Sequence, residues 1–490
     1  MLKIKSFVFL FFITNAAYPV AKFFIEETSA VLTRPLVQKS YAFNPQRLLL
    51  LNSFSPSKRL FHTSRVMSSP RNEGKRVPEK KSILVLSNKE YSQIKFNEHL
   101  ENERLVYITT KNNLLNIPSS LKSRYLEIYG VEDYFQTGEV EFLGSAINEK
   151  HPIGHIVIDS EFDILRAAKL RELLRIPGQT YKSAMAFRDK MVMRNYIEKA
   201  GLKVAEGKAI DNVSDLIQFS HTVGFPFILK PRRGWGSEDV VLVDSREKLN
   251  EILSSKMFNA SHDNALLAEK FIKGDMYFVE GVILDKKIIF SWPSRYLGTC
   301  LDLVDGKSLG SYILKPGIMA DRLIRYAEKV LKALPIYKNT GFHLELFHTP
   351  EDEFIFCEIA SRIGGGRINE AYKSRFHVDL RKLFIQMQAD IVPNRSFKVE
   401  MPETEEIIGF VLFSSPKGPR STFNGLKDNL SPQFAWMEQF YLDVKKGDVS
   451  SAKGLKSPFA SAVIHASTEE EFQERVKTIT DWVNTNTVWS

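Results

Sequence analysis

Two glutamates, Glu345 and Glu358, have the spacing most easily turned into chemistry. His343, Glu345 and Phe347 alternate with Phe342, Leu344 and Leu346, as a β-strand requires. Thr349-Pro350-Glu351-Asp352 supplies a turn, and Phe354 to Glu358 reads as the returning strand. A hairpin turning about residues 351–352 sets the two carboxylates directly opposite each other. Like charges so placed repel. A divalent cation reverses the sign, and two carboxylates completed by phosphate oxygens suit Mg²⁺. The competing reading is a solvated hairpin charged by chance. The apolar neighbours Leu344, Leu346, Phe354 and Phe356 argue against wide exposure.

Other residues extend this chemistry. Lys230 ends an apolar run and is followed by Pro231-Arg232-Arg233-Gly234-Trp235-Gly236-Ser237. Glycines let backbone N–H groups approach phosphates, and the lysine supplies charge. The spacing is not that of a Walker A loop, and a plain basic hairpin loop is the alternative. Lys190 opens a helix in Arg188-Asp189-Lys190, where a solvated surface lysine is the bland reading. Glu269-Lys270-Phe271-Ile272, running into Lys273-Gly274-Asp275, is a connector able to offer one C=O and one N–H to an adenine edge. Arg362 and Gly364-Gly365-Gly366 follow Glu358 closely. An arginine there can hold a carboxylate or phosphate in a fork, and glycines admit a substrate close to the backbone.

The elements that must carry these residues are legible in outline. Residues 83–86, 105–109 and 155–158 read as short strands alternating with helices, which suggests an open parallel sheet. The last ends in Asp159-Ser160-Glu161. Pro177-Gly178 breaks the pattern, and no GxGxxG occurs, so a nicotinamide cofactor has no support. Helices are expected over 189–200, 211–223 and 321–334, with another from Asp244 capped by Glu247. Strands are expected over 225–229, 266–271, 277–284 and 288–292, and a helix near 379–388. Beyond about residue 395 a smaller β-rich lobe begins, with a strand over 407–413. A final helix starts at a capping box, Ser467 with Glu470.

Composition limits the function classes. The 490 residues carry a formal charge of +9. Residues 1–80 hold thirteen Lys and Arg against four Glu, so the leader accounts for the whole excess. No basic domain remains to coat a phosphate backbone, which argues against a nucleic-acid partner. Two cysteines, Cys300 and Cys357, exclude a disulfide framework and a Cys-rich zinc site. Their apolar, strand-like surroundings suit buried free thiols. Near the start, Lys3 and Lys5 precede a short apolar run, too short for a stable membrane span. From Thr28 to Asn72 there are seven Lys and Arg and no acid. Arg59-Leu60-Phe61-His62-Thr63-Ser64-Arg65 resembles the end of a mitochondrial presequence; the apolar beginning suits a secretory signal.

Taken in order, Leu174-Arg175-Ile176-Pro177-Gly178, Phe187-Arg188-Asp189-Lys190, Phe227-Ile228-Leu229-Lys230-Pro231, Glu269-Lys270-Phe271-Ile272, Phe342-His343-Leu344-Glu345 and Cys357-Glu358-Ile359-Ala360-Ser361-Arg362 resemble the ATP-grasp superfamily. The likeness is to its carboxylate–amine ligase branch, which includes L-amino acid ligases and carnosine-synthase-like enzymes, and it spans roughly residues 82–490. It implies an α/β and α+β multidomain chain, with an ATP-grasp fold preceded by a small open parallel-sheet domain. Residues 1–80 become a targeting leader and linker, 81–180 the N-terminal α/β domain, 181–395 the ATP-grasp domain and 396–490 a C-terminal β-rich lobe with the final helix.

The resemblance also assigns roles. ATP and Mg²⁺, with Mn²⁺ as an alternative, are the implied cofactors. Lys190 and Lys230 contact phosphates, Lys230 also lying near the adenine; Gly234, Gly236 and Ser237 form the loop over the phosphates; Glu269, Lys270 and Ile272 form the adenine connector. Glu345 and Glu358 hold the metal. Arg362, the second catalytic residue beside Lys230, steadies the transferred phosphoryl. The usual metal motif has Asn after Glu-x, whereas this chain reads Glu358-Ile359-Ala360-Ser361-Arg362, so no third ligand is supplied there. Met276 stands where many relatives place a ribose-binding Glu, and Asp275 beside it is the substitute. Arg295, Arg367 and His343 are candidates for the substrate pocket. The implied function is an ATP-dependent ligase joining a small carboxylate to an amine through an acyl phosphate, with ADP and phosphate released. The alternatives are a carboxylase-like enzyme using bicarbonate and a non-catalytic ATP-binding regulator. A homo-oligomer is compatible with the sequence.

The leader composition generates the first prediction. Residues before about Pro70 should be dispensable for folding and either removed or disordered in the chain in its compartment, mitochondrial or secretory. N-terminal sequencing of the native protein checks this; an intact, protease-resistant Met1 end is the contrary outcome.

Overall fold

The apolar run Ser82–Leu86 is buried along its whole length, as a strand covered on both faces must be. It pairs in parallel with Leu105–Thr110 on one side and Ile153–Ile158 on the other, and Glu127–Val131 completes a four-stranded parallel sheet. The helix Asp163–Leu174 packs over it, placing Ile164, Ala167, Ala168 and Leu170 in the core. In this computed structural model the described residues are 80–254, 265–393, 397, 399, 406–416, 421–427, 433–450 and 458–490. The expected targeting leader lies outside them.

Two antiparallel sheets follow. The first has the order Gly207–Ile210, Leu266–Lys270, Phe227–Pro231, Val241–Val243. The helices Val213–Val223 and Arg246–Leu253 bury Leu216, Phe219, Leu249 and Ile252 against it. The second is the largest, with eight strands. At its centre Asp275–Leu284 pairs with Lys287–Leu297 and with Thr340–His348, and Phe354–Ala360 forms one edge. Alternation along Thr340–His348 sends Phe342, Leu344 and Leu346 into the main core and His343, Glu345 and Phe347 to the other face. The amphipathic helix Ile318–Ala333 covers that core through Leu323, Ala327 and Val330.

The mixed α/β class and the parallel sheet are as the sequence leads one to expect. The segment after residue 395 differs. Its strands Ile407–Phe413, Ala460–Ala466 and Met437–Leu442 do not make a sheet of their own. They extend the eight-stranded sheet, joining through Leu309–Ile313. The burial of every residue of Ile407–Phe413 is the reason, since a strand apolar on both faces needs cover on both. A helix at Ile368–Phe376 was not expected, because Gly364-Gly365-Gly366 and the polar residues after it read as loop. Two caps shift by one residue. Ser245, not Asp244, accepts from Lys248 N, and Thr468 with Glu471, not Ser467 with Glu470, starts the last helix. Among the described residues no helix is long and apolar enough to cross a membrane.

Leu344 is fully buried between the central strands and the covering helix. Leu344→Ala should cost about 2–5 kcal/mol of stability, read as a lower denaturation midpoint with an unchanged slope.

Candidate active site

The space between the two antiparallel sheets is a cleft of about 900 Å³, part of it open to solvent. Its floor is the hairpin. Glu345 pairs with Glu358 in register, and the next pair is Leu346 with Phe356, so Cys357 is the extra residue of a β-bulge. A bulge re-aims the side chains beside it, and here both Cys357 and Glu358 line the cleft. Two carboxylates at cross-strand distance repel by roughly 3 kcal/mol at an effective dielectric constant near 20.

The lysines answer that repulsion. Asp189 caps the helix Lys190–Lys199, accepting from Met191 N and Val192 N, and also takes a forked pair from Arg232. This fixes Lys190, which is buried rather than solvated, with Nζ 2.9 Å from Glu358 Oε2 and 3.1 Å from Gly234 O. Lys230, on the opposing sheet, reaches Glu269 Oε2 at 2.5 Å. Glu269 receives Arg194 at 2.9 Å as well. Burial resists ionisation of Glu358, yet Lys190 and then Lys230 hold it down at about 2. Burial likewise opposes the charge on Lys230, and Glu269 foremost keeps it above the ordinary lysine range. A carboxylate pair, two lysines and an open cleft form a site for a polyanion with a divalent cation.

The rest of the lining fits a nucleotide. Ile228, Met276, Leu301, Phe347 and Phe356 make apolar walls, and Lys270 and Ile272 sit at the connector. Ile272 N–H has no acceptor among the described residues, so one donor is left at the cleft wall. Gly234, Gly236 and Ser237 line the cleft from the loop after Lys230. Gly236 and Ser237 both take left-handed φ near 57°; such a turn can point successive N–H groups inward. Trp235 anchors this loop by meeting the edge of Phe162 at 5.5 Å.

Four residues expected at the site fall elsewhere. Asp275 does not line the cleft. Strand alternation puts Met276 there and turns Asp275 to the other face, where it pairs with Arg295 at 2.9 Å. Arg295 is drawn away from the site by the same pairing, and Arg367 is held by Asp443 and stacked on Tyr441. Arg362 lies outside the cleft lining, its guanidinium clasped to Glu161. Glu161 also pairs with Arg188, and Arg362 foremost keeps its buried carboxyl below the usual range.

Sequence reasoning assigned no role to Glu161 or Glu280. Both carried a signal, Glu161 as an acid just beyond a parallel strand and Glu280 as the one charge within an apolar strand. Glu280 is fully buried and accepts from His343 Nδ1 and from Gly364 N at 3.2 Å. A Cβ at Gly364 would meet Glu280 Oε1 at 2.4 Å, so only glycine fits. His343 Nε2 in turn lies 3.2 Å from Glu345 Oε1, which also accepts from Tyr296. Burial disfavours the imidazolium, but Glu280 and Glu345 raise it to about 10. Cys300 and Cys357 are free thiols pushed up by burial, as their surroundings suggested. Among the described residues no cluster of three or more His, Cys, Asp or Glu forms a complete metal cage. The two opposed carboxylates therefore fit a cation whose remaining ligands come from phosphates and water, the usual Mg²⁺ arrangement.

Comparison with known proteins agrees with this geometry. Residues 189–287 match the family profile described as carbamoyl-phosphate synthase L chain, ATP binding domain. The L-arginine-specific L-amino acid ligase of Bacillus subtilis is 25% identical over 361 residues, covering 71% of this chain and 85% of that protein. The crystal structure of an L-amino acid ligase from Bacillus licheniformis superposes with a TM-score of 0.65 at 16% identity, covering 82% of this chain and 97% of the other. The biotin carboxylase domain of Hydrogenobacter thermophilus 2-oxoglutarate carboxylase, solved with MgADP and bicarbonate, gives 0.60 at 15% identity, covering 83% and 91%. The fold is the ATP-grasp fold, and the relatives are ligases, as the motifs led one to expect.

Glu358 supplies a pH prediction. A depressed carboxyl stabilises the fold above its ordinary value of 4.5, and that contribution disappears as pH falls towards about 2. Lys190→Met removes the first cause of the depression. The variant should therefore melt below the wild type at pH 6, and the gap should narrow between pH 4.5 and 3.

Proposed function

We propose that this protein is an ATP-dependent carboxylate–amine ligase that works through an acyl phosphate and releases ADP and orthophosphate. The observation that carries the reading is the opposed pair Glu345 and Glu358 facing Lys190 and Lys230 across one cleft. The ligase names of the relatives and the MgADP in a structural neighbour support it. Mg²⁺ held by Glu345 and Glu358 would neutralise phosphate charge during transfer.

The chain's own residues supply the rest. Lys190 and Lys230 attract the phosphates, and the loop carrying Gly234, Gly236 and Ser237 covers them. Arg362, held by Glu161 at the margin of the cleft, is assigned to the acid substrate. A carboxylate oxygen attacks the terminal phosphorus and the bond to ADP breaks, with charge spreading over the equatorial oxygens. The amine then attacks the acyl carbon, the C–O bond to phosphate breaks, and the amine gives up a proton. Enclosure protects the acyl phosphate from water. His343, kept cationic by Glu280, holds Glu345 in its working position.

Two measurements test this. Glu345→Gln and Glu358→Gln should each lower Mg²⁺-dependent turnover by about 100-fold or more while melting as cooperatively as the wild type. Full activity in both variants is the contrary outcome. With γ-labelled ATP, a panel of amino acids and hydroxylamine as trap, the products should be hydroxamate and labelled orthophosphate. Labelled pyrophosphate would mean adenylation, and phosphate release dependent on bicarbonate alone would mean a carboxylase.

A further inference from the structure

One cation of the parallel-sheet region meets no carboxylate among the described residues. Arg171, on the helix Asp163–Leu174, is 5% exposed. One of its nitrogens donates to Ile156 O at 2.6 Å and, at 3.4 Å, to Gln388 Oε1. It forms no ion pair among the described residues. By contrast Arg166, Arg188 and Arg194, buried to a similar degree, each meet a carboxylate. Burial alone lowers the Arg171 guanidinium to about 10, with Tyr337 the other group that senses it.

Arg171 also lines a second cavity, about 340 Å³ including its open mouth, beside Gln179, Tyr337, Asn339, Thr340 and Ser361. The lining contains no Asp or Glu. The amide of Gln388 is spent on Ile158 O at 2.7 Å, and that of Gln179 on Ser183 and Ser361. Tyr337, half-buried, lines the cavity beside the arginine. Gly178, at φ +152°, lets the loop close against the arginine; a Cβ there would meet Arg171 Cδ at 2.4 Å. Leaving an ion unpaired in such a place costs several kcal/mol. A guanidinium carries five donors in a planar fork, and one carbonyl and one amide oxygen cannot use them.

We propose that this cavity is a second ligand site, binding a small monovalent anion between the Arg171 guanidinium and the Tyr337 hydroxyl. Chloride and the carboxylate of a one- or two-carbon acid share the required chemistry. Ser361, bonded to Gln179, is one wall of the cavity and the neighbour of Arg362. A bound anion thus supports the segment that presents Arg362, and this inference stands whether or not the ligase reading does.

The test uses the full chain in sodium chloride, sodium formate and sodium gluconate at equal ionic strength, gluconate being too bulky to enter. The wild type should melt about 2 °C higher in chloride or in formate than in gluconate. A rise in chloride alone identifies a halide site, and a rise in formate alone a carboxylate site. In Arg171→Gln the difference should vanish. If that variant does not fold, Tyr337→Phe should at least halve the difference. Crystals soaked in sodium bromide should show anomalous density within hydrogen-bond reach of Arg171. Equal melting in all three salts, a salt difference that persists in Arg171→Gln or remains undiminished in Tyr337→Phe, or no bromide at Arg171 in a protein whose melting does respond to chloride, would overturn the proposal.

Discussion

The whole site depends on placing two carboxylates opposite each other on a buried hairpin. Glu345 and Glu358 raise the energy of the empty fold, and the protein offsets that with fixed cations. Lys190 is held against Glu358 by a helix start that Asp189 caps and Arg232 braces. Lys230 approaches from the facing sheet. Under the proposed function, a divalent cation between the two carboxylates would relieve the part of that repulsion that the lysines leave. Truncating one partner of such a set leaves the other charge buried and uncompensated.

The second requirement is that the parts gripping the polyanion come from different sheets and still keep register. Buried ion pairs meet it. Glu161, beyond a strand of the parallel sheet, holds Arg188 and Arg362 together. Arg188 also donates to Arg233 O and Gly234 O of the glycine loop. The parallel sheet is therefore tied through one carboxylate both to the glycine loop and to Arg362. Glu280 does similar work below the floor, joining Gly364 N to His343 and through it to Glu345. These acids touch no cleft wall, yet they set where the cleft residues stand.

Much of this was legible in the residues. The hairpin register followed from alternation and turn position, and it holds at Glu345 and Glu358. Lys190, Lys230, the glycine loop and the connector all reach one cleft. The bulge at Cys357 was not legible, because a bulge adds a residue without breaking the apolar pattern. Asp275 was misplaced because a single position along a strand reverses the face, and register is decided by the neighbouring strands. The C-terminal lobe was taken as separate because no local pattern says that Ile407–Phe413 will pair with Leu309–Ile313, about a hundred residues earlier.

The sequence by itself determined most of the strands and helices, which segments bring lysines, glycines and carboxylates suited to phosphate and metal chemistry, and that the whole excess positive charge lies in residues 1–80. Those properties are local, set by periodicity, turn chemistry and composition. Only the tertiary structure decided which charges are buried together. It gave Lys190 to Glu358, Lys230 to Glu269 and Arg362 to Glu161, and it left Arg171 with no acid among the described residues. Ion pairing depends on distances of a few ångströms between residues far apart in the chain, and desolvation then fixes what each pairing is worth.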